Sequence, residues 1–251
     1  MAHAGKSRWA NRPPYEEFPM IVAEQKPLAE IMDRAAGAPK VLVLGCGTCV
    51  TVCFAGGEKE AEILASSMRM KSQLAEAPAE VTHATVQRQC EWEYLDSVAD
   101  QIRGAGTVVS LACGVGAQAI VERFPEVRMV PGLNTRFYGL PTVQGVWEER
   151  CAGCGDCVLD YTEGICPVAR CSKSLMNGPC GGSHDGKCEV DASIECAWHL
   201  IVERMKSLGT LDRLAEPRAP KNWRAARDGG PGKITREDLM REKDRKAAQT
   251  H

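Results

Sequence analysis

VLVLGCGTCVTVCFAGGEKEAEILASSMRMKSQL, residues 41–74, is the stretch on which the reading of the fold turns. Its four leading aliphatic residues, VLVL (41–44), form a strand covered on both faces. A glycine-rich turn follows, and then a helix through AEILASSMRMKSQL. The same unit recurs downstream. VTHATV (81–86) leads to the helix EYLDSVADQI, TVVSLA (107–112) leads to GAQAIVERF, and VRMV (127–130) supplies a fourth strand. Alternating strands and helices predict a small parallel sheet with helices on its faces, an α/β domain of flavodoxin- or Rossmann-like type. Upstream, a short helix is expected from Pro27 to Ala36, with proline at its first position and Gly37 just past its end.

The bulk properties narrow the classes. The chain has 251 residues, 44% of them hydrophobic and only 5% aromatic, so its core is aliphatic and alanine-rich. A net charge of −2 and a pI near 6.2 give no overall pull towards nucleic acid or anionic membrane. No apolar run is long enough to span a bilayer. MAHAGKSRWANRPPYEEF lacks the apolar core of a secretory signal, and a cytoplasmic location is expected. Thiols stay reduced there, so the thirteen cysteines read as metal ligands rather than disulfides, and an odd total leaves one unpaired in any all-disulfide scheme.

Eight of those cysteines fall between 151 and 196. Cys151, Cys154 and Cys157 form C-x2-C-x2-C, and Cys166 precedes Pro167. A tight, glycine-assisted loop of this spacing lets one piece of backbone meet three corners of a four-iron cube, with N–H groups turned towards the sulfur. The fourth ligand must come from elsewhere. Cys166, Cys171, Cys180, Cys188 and Cys196 supply it and a second set of four. Cys151, Cys154, Cys157 and one distant cysteine are assigned to one cluster and the rest to the other, with Cys166 or Cys196 as the crossing partner. Zinc is the competing reading, with His184 as a nitrogen donor, but one tetrahedral ion seldom takes three thiolates from seven residues. His184 and His199 are read as ordinary surface or helix residues.

The other five cysteines follow successive strands. Cys46, Cys49 and Cys53 come after the first, Cys90 lies just beyond the second, and Cys113 ends the third. Strand carboxyl ends share one edge of a parallel sheet, so these residues are expected to meet there as a third metal site. Cys46, Cys49, Cys90 and Cys113 are the preferred ligands and Cys53 the alternate; a third cluster is the first choice and zinc the second. A bland reading makes one or two of them small buried hydrophobes. GCGTC also resembles the opening of a dinucleotide fingerprint. Cys49 replaces its third glycine, however, and the second strand ends in Val86-Gln87 rather than an acid.

The chain thus divides into an arm and short helix (1–39), the α/β domain (40–145), the cysteine-rich domain (146–209) and a charged tail (210–251). In the third, a helix capped by Ser193 is expected to carry Ile194, Trp198, Ile201, Met205 and Leu208 on one stripe before Gly209. In the tail, ITREDLMREKDRKAA reads as a terminal helix capped by Thr235, or as a solvated end.

VLGCGTCVTVCFAGGEKE, LACGVGAQ, CAGCGDCVLDYTEGICPVARCSKSLMNGPCGG and GKCEVD…CAWHLI resemble the small iron–sulfur subunit of acetogen-type methylenetetrahydrofolate reductase, a group also described as a reductase C-terminal domain family. The resemblance covers about 40 to 205. It implies a ferredoxin-like cysteine-rich domain with two 4Fe-4S clusters and a third metal site. It further implies an electron relay to or from a partner that carries FMN or FAD and reduces methylenetetrahydrofolate to methyltetrahydrofolate; the sequence leaves the ultimate donor open among ferredoxin, a pyridine nucleotide enzyme and a hydrogenase- or heterodisulfide-reductase-like module. No catalytic residues are expected on this chain. A flavin-holding (β/α)8 barrel needs about 250 residues, whereas 40–145 offers only about 105. Nor does the sequence hold an obvious acid–base or nucleophile constellation. The alternatives are a zinc-binding scaffold that docks the reductase without carrying electrons, and an α/β enzyme with a nucleotide site at GCGTC.

Overall fold

The computed structural model describes residues 21–76, 78–143, 145–216 and 218–242. In chain order the elements of the first unit are β1 (Ile21–Gln25), α1 (Leu28–Arg34), β2 (Lys40–Cys46), α2 (Cys49–Val52), α3 (Glu58–Leu74), β3 (Glu80–Val86), α4 (Trp92–Asp96), α5 (Ala99–Ala105), β4 (Thr107–Leu111), α6 (Gly114–Arg123), β5 (Arg128–Pro131), β6 (Leu133–Val143) and β7 (Val146–Cys151). The second unit adds α7 (Pro167–Arg170), α8 (Ala197–Leu208) and short 3-10 turns. The chain divides into two compact units, Met1–Arg150 and Cys151–His251.

A four-stranded parallel sheet in the order β3-β2-β4-β5 centres the first unit. The pleat explains the VLVL run: Val41 and Val43 point into a cluster with α1 and α3, while Leu42 and Leu44 point into another with α4, α5 and α6. α3 meets the sheet through Ala61, Leu64, Ala65 and Met68, an i, i+3, i+4, i+7 stripe. On the other face, Ile120 of α6 and the following Phe124 are wholly buried.

Three elements depart from expectation. EYLDSVADQI is two helices, because the Ser97 hydroxyl donates to the Tyr94 carbonyl at 2.7 Å and Val98 leaves helical geometry (φ −121°, ψ 18°) before α5 begins. β1, β6 and β7 form an additional three-stranded sheet in which β1 pairs antiparallel with β6. α8 is capped by Cys196 rather than Ser193, which is held in a turn through its N–H and hydroxyl on the Asp191 carboxylate. Trp198, Ile201 and Met205 are buried as expected, while Ile194 and Leu208 are exposed. Of the expected terminal helix only a 3-10 turn, Glu237–Leu239, falls among the described residues; 243–251 lie outside them, as do residues 1–20 of the arm. No described helix is long and apolar enough to cross a membrane.

Candidate metal centres

In the strand order β3-β2-β4-β5, the connections from β2 and β4 leave in opposite directions, and crevices at such a switch point are where open α/β sheets build sites. Cys46 is the last residue of β2, Cys49 opens α2, Cys113 caps α6 directly after β4, and Cys90 lies in the loop after β3. Burial pushes the Cys46 thiol above its ordinary pKa, and the neighbouring Cys113 adds to the rise. Backbone groups of Gln89 and Thr48 pull it the other way. Cys90 is exposed to solvent, yet partial desolvation by the surrounding chain, followed by the nearby Cys46 and Cys113, raises its pKa. The three thiols that close three adjacent strands are therefore electrostatic neighbours.

Gln89 holds this corner together. Its side chain is wholly buried. Nε2 donates to the Leu44 carbonyl at 2.7 Å, and the Ser110 hydroxyl donates to Oε1 at 2.7 Å. The Ala112 N–H donates in turn to the Ser110 oxygen at 3.3 Å. One glutamine next to Cys90 thus ties the ends of β2 and β4 to the β3 loop. Sequence reasoning missed it, since a lone glutamine after a strand carries no signal of burial. Gly56 makes the turn after α2 possible, because a Cβ there would lie 2.1 Å from the Leu111 carbonyl oxygen. Cys53 stands apart in kind: its buried thiol donates to the Ala23 and Val50 carbonyls, both at 3.5 Å, and burial pushes its pKa up.

The second unit begins at Cys151, the last residue of β7. Gly153 (φ 63°) and Gly155 (φ 76°) take left-handed backbone between the cysteines, and the Gly153 N–H donates to the Cys151 sulfur at 3.3 Å. Cys166 caps α7, its sulfur accepting the Ala169 N–H at 3.5 Å, with Pro167 at the first helical position.

Cys171, Cys180, Cys188 and Cys196 line a single small cavity, with Trp198 among its other walls. Cys196 reaches it from the start of α8 and is buried. The Cys188 sulfur and the Ser172 hydroxyl are hydrogen-bonded at 3.3 Å; the Ser172 hydroxyl, as a donor to the thiolate, and backbone groups of Val190 and Asp191 hold the Cys188 pKa below the usual thiol range. The Cys180 thiol donates to Glu189, which also pairs with Lys173. His184 bridges to Lys187 through the backbone and faces solvent.

All thirteen cysteines are free thiols, and among the described residues no three Cys, His, Asp or Glu side chains are gathered tightly enough to hold a single metal ion as they stand. The donor types of the second unit are those an iron–sulfur cluster takes: four thiols line one small cavity, and in the separate Cys151–Cys166 stretch N–H groups donate to sulfur beside left-handed glycines.

Fold and donor set together define an α/β protein with a parallel sheet, an accessory antiparallel sheet and a thiol-rich second unit. Residues 130–224 match the family model described as methylene-tetrahydrofolate reductase C terminal, a stretch that contains all eight cysteines of the second unit. No curated protein and no solved structure matches the chain.

Proposed function

We propose that this chain is the electron-transfer component of a methylenetetrahydrofolate reductase system, with a ferredoxin-like cluster unit in its second half. The observation that carries the reading is the cavity shared by Cys171, Cys180, Cys188 and Cys196 inside the stretch that matches the reductase family. Those four would hold one 4Fe-4S cluster. Cys151, Cys154, Cys157 and Cys166 would hold a second. Cys46, Cys49, Cys90 and Cys113 would hold a third or a zinc ion, with Cys53 left as a thiol bonded to backbone carbonyls.

Bound clusters of this kind take up and release single electrons at potentials set by burial and by hydrogen bonds to sulfur. The residues of this chain supply those conditions. The Gly153 and Ala169 N–H groups offer positive dipole ends to Cys151 and Cys166 and so favour added negative charge. Burial of Cys196 excludes water on one side of its cavity. The Gln89–Ser110 bridge fixes the strand ends that carry Cys46, Cys90 and Cys113.

Folate chemistry falls to a partner. In this reading the flavin that passes a hydride equivalent to the methylene carbon is carried by a partner on a (β/α)8 barrel, a fold that the described four-stranded sheet does not provide. Ferredoxin or a hydrogenase- or heterodisulfide-reductase-like module would stand at the other end. The test is anaerobic purification of the complex from its host, followed by dithionite reduction of this chain and mixing with the isolated flavin subunit. Bleaching of the flavin only when this chain is present is the expected result. A partner without flavin, or bleaching at the same rate without the chain, overturns the assignment.

A further inference from the structure

The segment after α8 returns to the C-x2-C-x2-C loop and fastens onto Asp156, the residue before its third cysteine. Lys221 is only 2% exposed at its side chain. Its ammonium donates to the Asp156 backbone oxygen and lies 3.8 Å from the Asp156 carboxylate. The Asn222 N–H donates to the same carboxylate at 3.1 Å. One residue earlier in the loop, Gly155 packs so closely that a Cβ would lie 2.3 Å from the Ala225 carbonyl oxygen. Asp156 sits between Cys154 and Cys157, and a cavity of about 680 Å³ counts Cys157 and Lys221 among its walls. The family match runs through this segment, to residue 224.

A buried ammonium is costly unless it is paired, and buried charges are screened far less than exposed ones. Lys221 therefore does two things at once. It pins the backbone between Cys154 and Cys157, and it places a buried positive charge 3.8 Å from the half-exposed Asp156 carboxylate. We propose that Lys221 is a positioning residue for the Cys151–Cys157 loop, and that the Lys221–Asp156 pair tunes how readily the centre held there accepts an electron. This rests on the cluster reading above. An added electron makes the centre more negative, so an unpaired Asp156 carboxylate opposes reduction, while Lys221 without its carboxylate partner favours it.

The test uses the full chain, loaded anaerobically, with iron content measured and midpoint potentials read by magnetic resonance during dithionite titration. Lys221→Met is expected to retain iron and shift one midpoint negative by at least threefold in the one-electron equilibrium, ~30 mV. Asp156→Asn is expected to shift the same midpoint positive, and Lys221→Arg to restore the native value. If Lys221→Met loses iron that Lys221→Arg keeps, the positioning role stands, and Asp156→Asn alone reports the charge. Unmoved midpoints with iron retained, shifts of the same sign, or equal iron loss in all three variants would overturn the proposal. A native chain that takes up no iron removes the cluster reading itself, and the proposal with it.

Discussion

Two regions of this molecule hold their shape by different means. In residues 21–150, Val41 and Val43 feed one apolar cluster and Leu42 and Leu44 another, so the sheet is covered on both sides by side chains that need no ligand. From Cys151 onward, the described core is a small group on α8, Cys196, Trp198, Ile201 and Met205, with Ile165, Cys171, Leu175 and Leu214 packed against it. Among the described residues the remainder is α7, short 3-10 turns and loop, turned by glycines and punctuated by thiols. Burial of apolar surface accounts for the first region, whereas the described second region has a much smaller apolar cluster; under the cluster proposal, metal held by its thiols would supply the remaining order. The lesson is that the same residue type serves opposite ends: Cys53 is a packed, hydrogen-bonded thiol in the first region, while Cys171, Cys180, Cys188 and Cys196 face a common cavity in the second.

Stripping bound metal under reducing conditions tests this contrast most severely. Amide exchange over 151–209 is expected to approach unfolded rates while β2 and β4 stay protected. Persistent protection in the second region would break the distinction. Next in size is the ligand partition. Cys188→Ala and Cys154→Ala should each remove about four irons, and the double variant about eight. A double variant that loses no more than either single one would point to one shared centre. Within the sheet region, Gln89→Leu strands the Leu44 carbonyl and the Ser110 hydroxyl and is expected to cost ~2–4 kcal/mol in denaturant unfolding. A loss below ~0.5 kcal/mol would mean the bridge is replaceable by apolar packing. The smallest effect is expected from Cys53→Ala, with about 1 kcal/mol of stability lost and no iron. Iron loss equal to that of Cys46→Ala would make Cys53 a ligand.

The parallel strands were legible because burial on both faces leaves continuous aliphatic runs, as in VLVL and TVVSL. β6 was not, since LNTRFYGLPTV is mostly half-exposed and contains Gly139 and Pro141, features that ordinarily argue against a strand. The split between α4 and α5 hid in Ser97, whose side chain competes for a helix carbonyl in a way that periodicity does not register. At the candidate centres, spacing proposed which thiols belong together, and the structure brings Cys171, Cys180, Cys188 and Cys196 onto one cavity. Spacing left open whether Cys166 or Cys196 completes the first set, and the cavity that Cys196 shares with Cys171, Cys180 and Cys188 favours Cys166. Neither Gln89 nor Lys221 was legible. Each matters through burial and a distant partner, Leu44 in one case and Asp156 in the other.

The most direct measurement is a count of iron and acid-labile sulfide on the full chain purified without oxygen, read beside its magnetic resonance spectrum after dithionite. About eight irons per chain with matching sulfide and a signal from reduced clusters are expected, rising to about twelve if the sheet-edge thiols also hold a cluster. Zinc in place of iron, with no sulfide and no signal, would contradict the assignment of this chain as an electron carrier.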